Sequence, residues 1–282
     1  MSYARTATWL AGLSALFVGA GFALAGEWGL VMGLAMTLAL SAAAYCRAGD
    51  GMFARFNIRE VDAASSPAFV AQMRRLAERA ALPPPRTFVF KSEQPNAFAT
   101  GRSYRDASVA VTDGLLRRMT TRQITGVLAH ELGHICNRDN LVLTVTATVA
   151  GVVCGAAGTA MLVSIAVVPA GIIGTAGAIT LACLAAVLVQ MAVSRGREFE
   201  ADATGADICG QPMWIASALE AIVRRPPPFP GRIAPTLPAA AFRFGLSARA
   251  GRGVAALFST HPSSAERIRR LRKIASGPNT WG

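Results

Sequence analysis

Residues 130–139 read HELGHICNRD and place His130 and His134 four apart, with Glu131 beside the first. On a helix, positions i and i+4 share a face, so both imidazoles can aim a nitrogen at one ion. Glu131 is then placed to reach a water held by that ion. The chemistry such a constellation can do is hydrolysis at a zinc centre. Two of the chain's three histidines fall in this one motif. Cys136, two residues past His134, points away from the shared face and reads as a packing residue.

A catalytic zinc needs a third protein ligand and an open position. Residues 194–202, SRGREFEAD, offer Glu198 and Asp202 four apart on one helical face. Glu198 can ligate while Asp202 accepts a proton from a ligand imidazole and so fixes its tautomer. Glu200, off that face, and His261 are alternative third ligands. Otherwise His261, in Thr260-His261-Pro262, reads as a donor to the substrate carbonyl or oxyanion, supported by Arg267 on the helix that follows.

The elements that must position these groups are unusually apolar. The chain has 282 residues, 52% hydrophobic and 16% charged, with a net charge of +12. Thr6–Cys46 carries a single charge, Glu27, and Leu141–Val193 carries none. A span takes about 20 residues, so each block is long enough for two. Breaks at Gly26-Glu27-Trp28-Gly29 and Pro169-Ala170-Gly171 predict spans near 6–25, 28–46, 141–168 and 172–193. All 28 Lys and Arg lie outside the spans and their turns, at Arg5, between Arg47 and Arg138, or between Arg195 and Lys273. The positive-inside rule therefore puts the N-terminus, 47–140 and 194–282 in the cytosol. Arg5, the apolar run and Ala23-Leu24-Ala25 also fit a cleavable leader, whose removal leaves the side of the later segments unchanged. The 141–193 hairpin leaves the cytosol and returns, which brings Glu198 back towards His130 and His134.

In the cytosolic part, Ser66-Pro67 predicts a helix start, with apolar residues at helical spacing from Phe69 to Ala80. Strands are expected at Thr87–Phe90, Asn96–Thr100 and Ala107–Thr112, the last two as a hairpin. A short helix follows from Asp113 to Met119, and Thr120-Thr121 can cap the motif helix. The proline-dense 226–238 stretch reads as a surface loop. The basic helix from Ala265 to Ile274 turns Ile268 and Leu271 inward. The five cysteines make no Cys-x-x-Cys and no disulfide framework.

PNAFATG (95–101), AVTDGLL (110–116), HELGHICNRD, SRGREFEADATGA (194–206) and STHPSSAERI (259–268), taken with the four spans, resemble the HtpX-type membrane zinc metalloproteases, relatives of the CAAX prenyl endopeptidases. The resemblance covers nearly the whole chain; Ser263 stands where the family often has a second proline. It implies a mainly α integral membrane protein with four transmembrane helices and a cytosolic α+β gluzincin-like domain carrying a small sheet. The domains run 1–46 and 141–193 for two transmembrane hairpins, and 47–140 and 194–282 for two parts of the protease. It implies one Zn2+ per chain on His130, His134 and Glu198, with Glu131 catalytic and Asn96 and Ala97 on the strand that pairs with substrate. The implied partners are the lipid bilayer and unfolded or misfolded membrane proteins, cut at the cytosolic face of a bacterial-type inner membrane. A prenylated CAAX substrate, a silent membrane scaffold and a transporter are the alternatives. The uncharged 141–193 block speaks against transport. Scattered arginines with few aromatics between them speak against nucleic acid, and anionic headgroups account for the basic balance.

Overall fold

A computed structural model describes residues 3–46, 58–93, 95–101, 103–139, most of 141–152, 193–224 and 262–277. His261, the 226–238 stretch and all of 153–192 lie outside the described residues. The chain is mostly helical, with one small mixed sheet. It divides into two units, Tyr3–Cys46 with Leu141–Val193, and Arg47–Asn140 with Ser194–Gly282.

The first unit is built on α1 (Tyr3–Cys46), whose helical backbone breaks at Ala25 and at Gly26, φ 56°. The break folds α1 into two antiparallel arms. A Cβ on Gly21 would run into the backbone of Gly29, and one on Gly33 into that of Phe17. Small residues let helix backbones approach this closely where van der Waals contact replaces a hydrophobic driving force. Trp28, Val31, Met32 and Leu38 are exposed, while Ser14, Thr37 and Ser41 are buried. Thr148 donates to Ser41 at 2.9 Å, so the polar groups face the interior of this unit. Among the described residues, one helical stretch, Ala25–Ala43, is long and apolar enough to cross a membrane.

The second unit packs helices on a four-stranded sheet of order β1-β2-β4-β3. The strands are β1 (Arg59–Glu60), β2 (Arg86–Phe90), β3 (Ala97–Thr100) and β4 (Ser108–Thr112). β2 and β4 run parallel with Phe88 opposite Ala110, and β3 and β4 form the antiparallel hairpin with Phe98 opposite Ala110. Side chains alternate between faces. Ala97, Ala99, Val109 and Val111 therefore join the main core, while Phe88, Phe90, Phe98 and Ala110 form a second cluster with Ile58. β1, absent from the sequence reading, carries no apolar residue and is two residues long.

The helices follow from capping and amphipathic spacing. α2 (Pro67–Arg79) buries Phe69, Met73, Leu76 and Ala77. Ser66 is its cap position but makes no side-chain bond; Asp62 instead accepts from the backbone of Ala64 and Ser65 just before it. α3 (Asp113–Arg118) is capped by Thr112. α4 (Thr121–Cys136) starts with a reciprocal capping box between Thr120 and Gln123. Next come α5 over 193–209, α6 (Pro212–Arg224) and α7 (Ser264–Ser276). α4 is buried from Thr125 to Gly133, which makes it the central helix of the unit.

Candidate metal centre

α4 carries His130, Glu131 and His134, and α5 carries Glu198 and Asp202. The two helices meet on glycines. A Cβ on Gly205 of α5 would lie 2.9 Å from both the Cα and the N of His130. One on Gly133 of α4 would lie 2.7 Å from the Ala201 carbonyl oxygen. Backbone thus presses on backbone beside the motif, and the three side chains His130, His134 and Glu198 converge. One ligand atom from each lies within 4.8 Å of the others, a group that could hold a metal ion.

The ring nitrogens show why a cation fits. His130 Nδ1 lies 3.0 Å from Asp202 Oδ1, and His134 Nδ1 meets Asp139 Oδ2. Each Nδ1 is thereby committed to a carboxylate, and the two Nε2 atoms face each other at 3.0 Å. Two lone pairs so placed need a proton or a cation between them. Tetrahedral zinc with bonds of about 2.0–2.1 Å would hold them about 3.3 Å apart, a few tenths of an ångström wider. Glu198 Oε2 completes the group at 3.7 Å from His130 Nε2.

The surrounding charges are buried and paired. Arg267, fully buried on α7, holds Asp202 through Nε at 2.7 Å and Nη2 at 2.6 Å, and Glu198 through Nη1 at 2.9 Å. The sequence reading put Arg267 in support of His261; the structure puts it on the two carboxylates. Arg197, beside Glu198 in sequence, pairs with Asp139. Neither Arg197 nor Asp139 was singled out from the sequence. A carboxylate five residues past His134 and an arginine next to a candidate ligand were the available signals.

These surroundings shift the titrating groups. Burial lifts the Glu131 carboxyl to about 7, with Glu198 adding to the rise and the charge of His134 opposing it. Burial alone would lower His134, but the bond to Asp139 and the charges of Glu198, Asp139 and Glu131 prevail and raise it to about 9. His130 is lowered by burial and by its cationic neighbours Arg267 and His134. Asp202 is held below its ordinary value because Arg267 and His130 outweigh its burial.

The backbone of Ala99 on β3 hydrogen-bonds Glu131. β3 stands at one end of the sheet order. Ala97 opens that strand, and buried Asn96 precedes it, bonded to Thr112 through its N–H at 2.9 Å. The buried Glu131 carboxyl and a strand at the end of the sheet are therefore neighbours.

A buried His-Glu-x-x-His helix and a carboxylate from a second helix, set beside a sheet edge, define a metallopeptidase. Residues 64–275 match peptidase family M48, and the chain belongs to that family. Its fold is similar to that of S. mikatae Ste24p in a crystal structure, with a TM-score of 0.62 at 17% sequence identity. The match covers 95% of this chain and 63% of the Ste24p chain, so this chain spans less than two thirds of that protein's length.

Proposed function

We propose that this metallopeptidase is a membrane-embedded zinc endopeptidase that hydrolyses misfolded or damaged membrane proteins at the cytosolic face of the inner membrane. The observation that carries the zinc reading is the convergence of His130, His134 and Glu198, with both Nε2 atoms turned to one point. The membrane reading is supported by the two uncharged or nearly uncharged blocks, the placement of every Lys and Arg outside them, and the exposed apolar faces of α1.

His130, His134 and Glu198 would hold the zinc. When bound, it supplies Lewis-acid polarisation of the scissile carbonyl and a water acidic enough to ionise near neutral pH. Glu131 takes the proton of the attacking water as the new C–O bond forms. It passes that proton to the amide nitrogen as the C–N bond breaks. In the metal-free chain burial raises the Glu131 carboxyl to about 7, so its surroundings favour uptake of a proton. Asp202 and Arg267 hold His130 and Glu198 in place. His261 is assigned to oxyanion stabilisation from its sequence context. An extended substrate pairs with β3, the strand that Asn96 precedes and Ala97 opens, drawing affinity from backbone groups, so cleavage is broad in sequence. Selection then falls on chains that are unfolded and close to the bilayer.

The test is the full chain purified in detergent with chelator, given zinc and an unfolded reporter. Wild type cleaves after zinc is added; Glu131→Gln binds zinc equally and does not cleave. Retained cleavage by that variant refutes the assignment. A prenylated CAAX peptide in the same assay separates that substrate class, since a preference for it over the unfolded reporter would overturn the quality-control role.

A further inference from the structure

Each ligand histidine leads through a carboxylate to an arginine. His130 leads to Asp202 and on to Arg267. His134 leads to Asp139 and on to Arg197. The second chain is made of residues to which the motif reading gives no role, and it serves the less protected ligand. His130 is 1% exposed and braced by Gly205, whereas the His134 side chain is 23% exposed and lies in the last turn of α4. Helix ends fray, so packing alone does not hold that ring.

The backbone is shaped to deliver Asp139. α4 ends at Cys136, Asn137 caps it by donating to the Gly133 carbonyl, and Arg138 then takes a left-handed φ of 53°. A left-handed residue just past a helix reverses the chain direction. An arginine there is strained relative to glycine. Asp139 follows at this bend and meets His134. Both Asp139 and Arg197 are 6% exposed.

We propose that Asp139 and Arg197 are positioning residues for the last-turn metal ligand His134. Asp139 fixes the ring and keeps its proton on Nδ1, leaving Nε2 for the metal. Arg197 fixes Asp139, and because it precedes Glu198 it also fastens the end of α4 to the turn of α5 that bears the carboxylate ligand. This rests on the zinc reading above and adds a second brace to the one made by Asp202 and Arg267.

The experiment uses the full chain in detergent, stripped of metal. Zinc affinity is measured by competition with a chromogenic chelator, and the visible absorption of the Co2+ form reports the ligand field. Circular dichroism of the metal-free form reports folding. Asp139→Ala is expected to lose about 10–100-fold in zinc affinity and to shift the Co2+ bands while keeping its helical signal. Arg197→Met is expected to shift them in the same sense, with Arg197→Lys recovering part of the loss. Should Asp139→Ala not fold, Asp139→Asn decides: shifted bands support the proposal and wild-type bands overturn it. Wild-type affinity and spectra in folded Asp139→Ala and Arg197→Met overturn it while leaving the zinc reading intact. A wild-type chain that takes up neither Zn2+ nor Co2+ overturns both.

Discussion

Gly205→Ala tests whether the contact between α4 and α5 sets the metal geometry. The added Cβ would stand 2.9 Å from the Cα and N of His130 and 3.1 Å from the Ala129 carbonyl carbon. Comfortable carbon contacts begin at about 3.5 Å, so the helices must part by roughly 0.6 Å or more. All three obstructing atoms are backbone and cannot rotate away. Gly205 lies seven residues, or about two turns, beyond Glu198 on the same face of α5. Zinc tolerates only about 0.2 Å in its bond lengths, so the parted helices cannot bind it without closing again. Overpacking of this kind costs about 1–3 kcal/mol. If zinc binding must bear that cost, affinity falls about 5- to 150-fold. Chelator competition measures the fall. Gly196→Ala is the control on the same helix, because a Cβ there meets nothing within 4 Å. It should bind zinc as wild type does and gain about 0.5–1 kcal/mol of helix stability. Equal zinc affinity in Gly205→Ala, Gly196→Ala and wild type would refute the reasoning.

Arg267→Met leaves Asp202 and Glu198 buried without their shared cation and should cost about 3–5 kcal/mol in the metal-free form, read by thermal melting. Arg267→Lys should rescue little, because one ammonium cannot span the acceptors that the guanidinium holds. In the metal-free chain, Glu131 is raised to about 7 and His134 to about 9. A raised folded value means that the folded state binds the extra proton, so each contribution is present below the unfolded value and lost as pH climbs through the folded one. His130, whose folded value is lowered, opposes this below its ordinary value and is neutral in both states above it, so the metal-free melting temperature should fall between about pH 6.5 and pH 9. Zinc affinity should rise over the same interval as His134 gives up its proton; a metal-free melt that climbs with pH refutes the assignment. Trimming the arms of α1 apart with Gly29→Leu should destabilise the first unit, since its Cβ would run into Gly21; unchanged melting would show that the contact is not needed.

Periodicity and capping carried much of the fold. The Thr120 cap, the apolar stripe from Phe69 to Ala77 and the hairpin of β3 and β4 were all legible, because each rests on neighbours in sequence. β1 was not, because Arg59 and Glu60 are exposed and gain their strand geometry only from pairing with Val89 and Phe88. At the site, four-residue spacing placed His130 with His134 and Glu198 with Asp202. It could not show that Arg267 reaches both Asp202 and Glu198, which depends on how α7 packs. Nor could it show Asp139 turning back onto His134, since that depends on the left-handed backbone at Arg138. Gly133 and Gly205 were hidden for the same reason: their role is the absence of a side chain where another helix passes. Glycine within a helical pattern signals such an approach only once the partner helix is known.

Arg267 gives the site an order of assembly in time. A chain growing from its N-terminus makes His130, Glu131 and His134 first, then an uncharged stretch of more than fifty residues, then Glu198 and Asp202, and Arg267 only with α7. Until α7 is made, two carboxylates that end up buried together have no guanidinium to neutralise them. Burying them without that cation is costly, so the site is completed only when α7 packs against it.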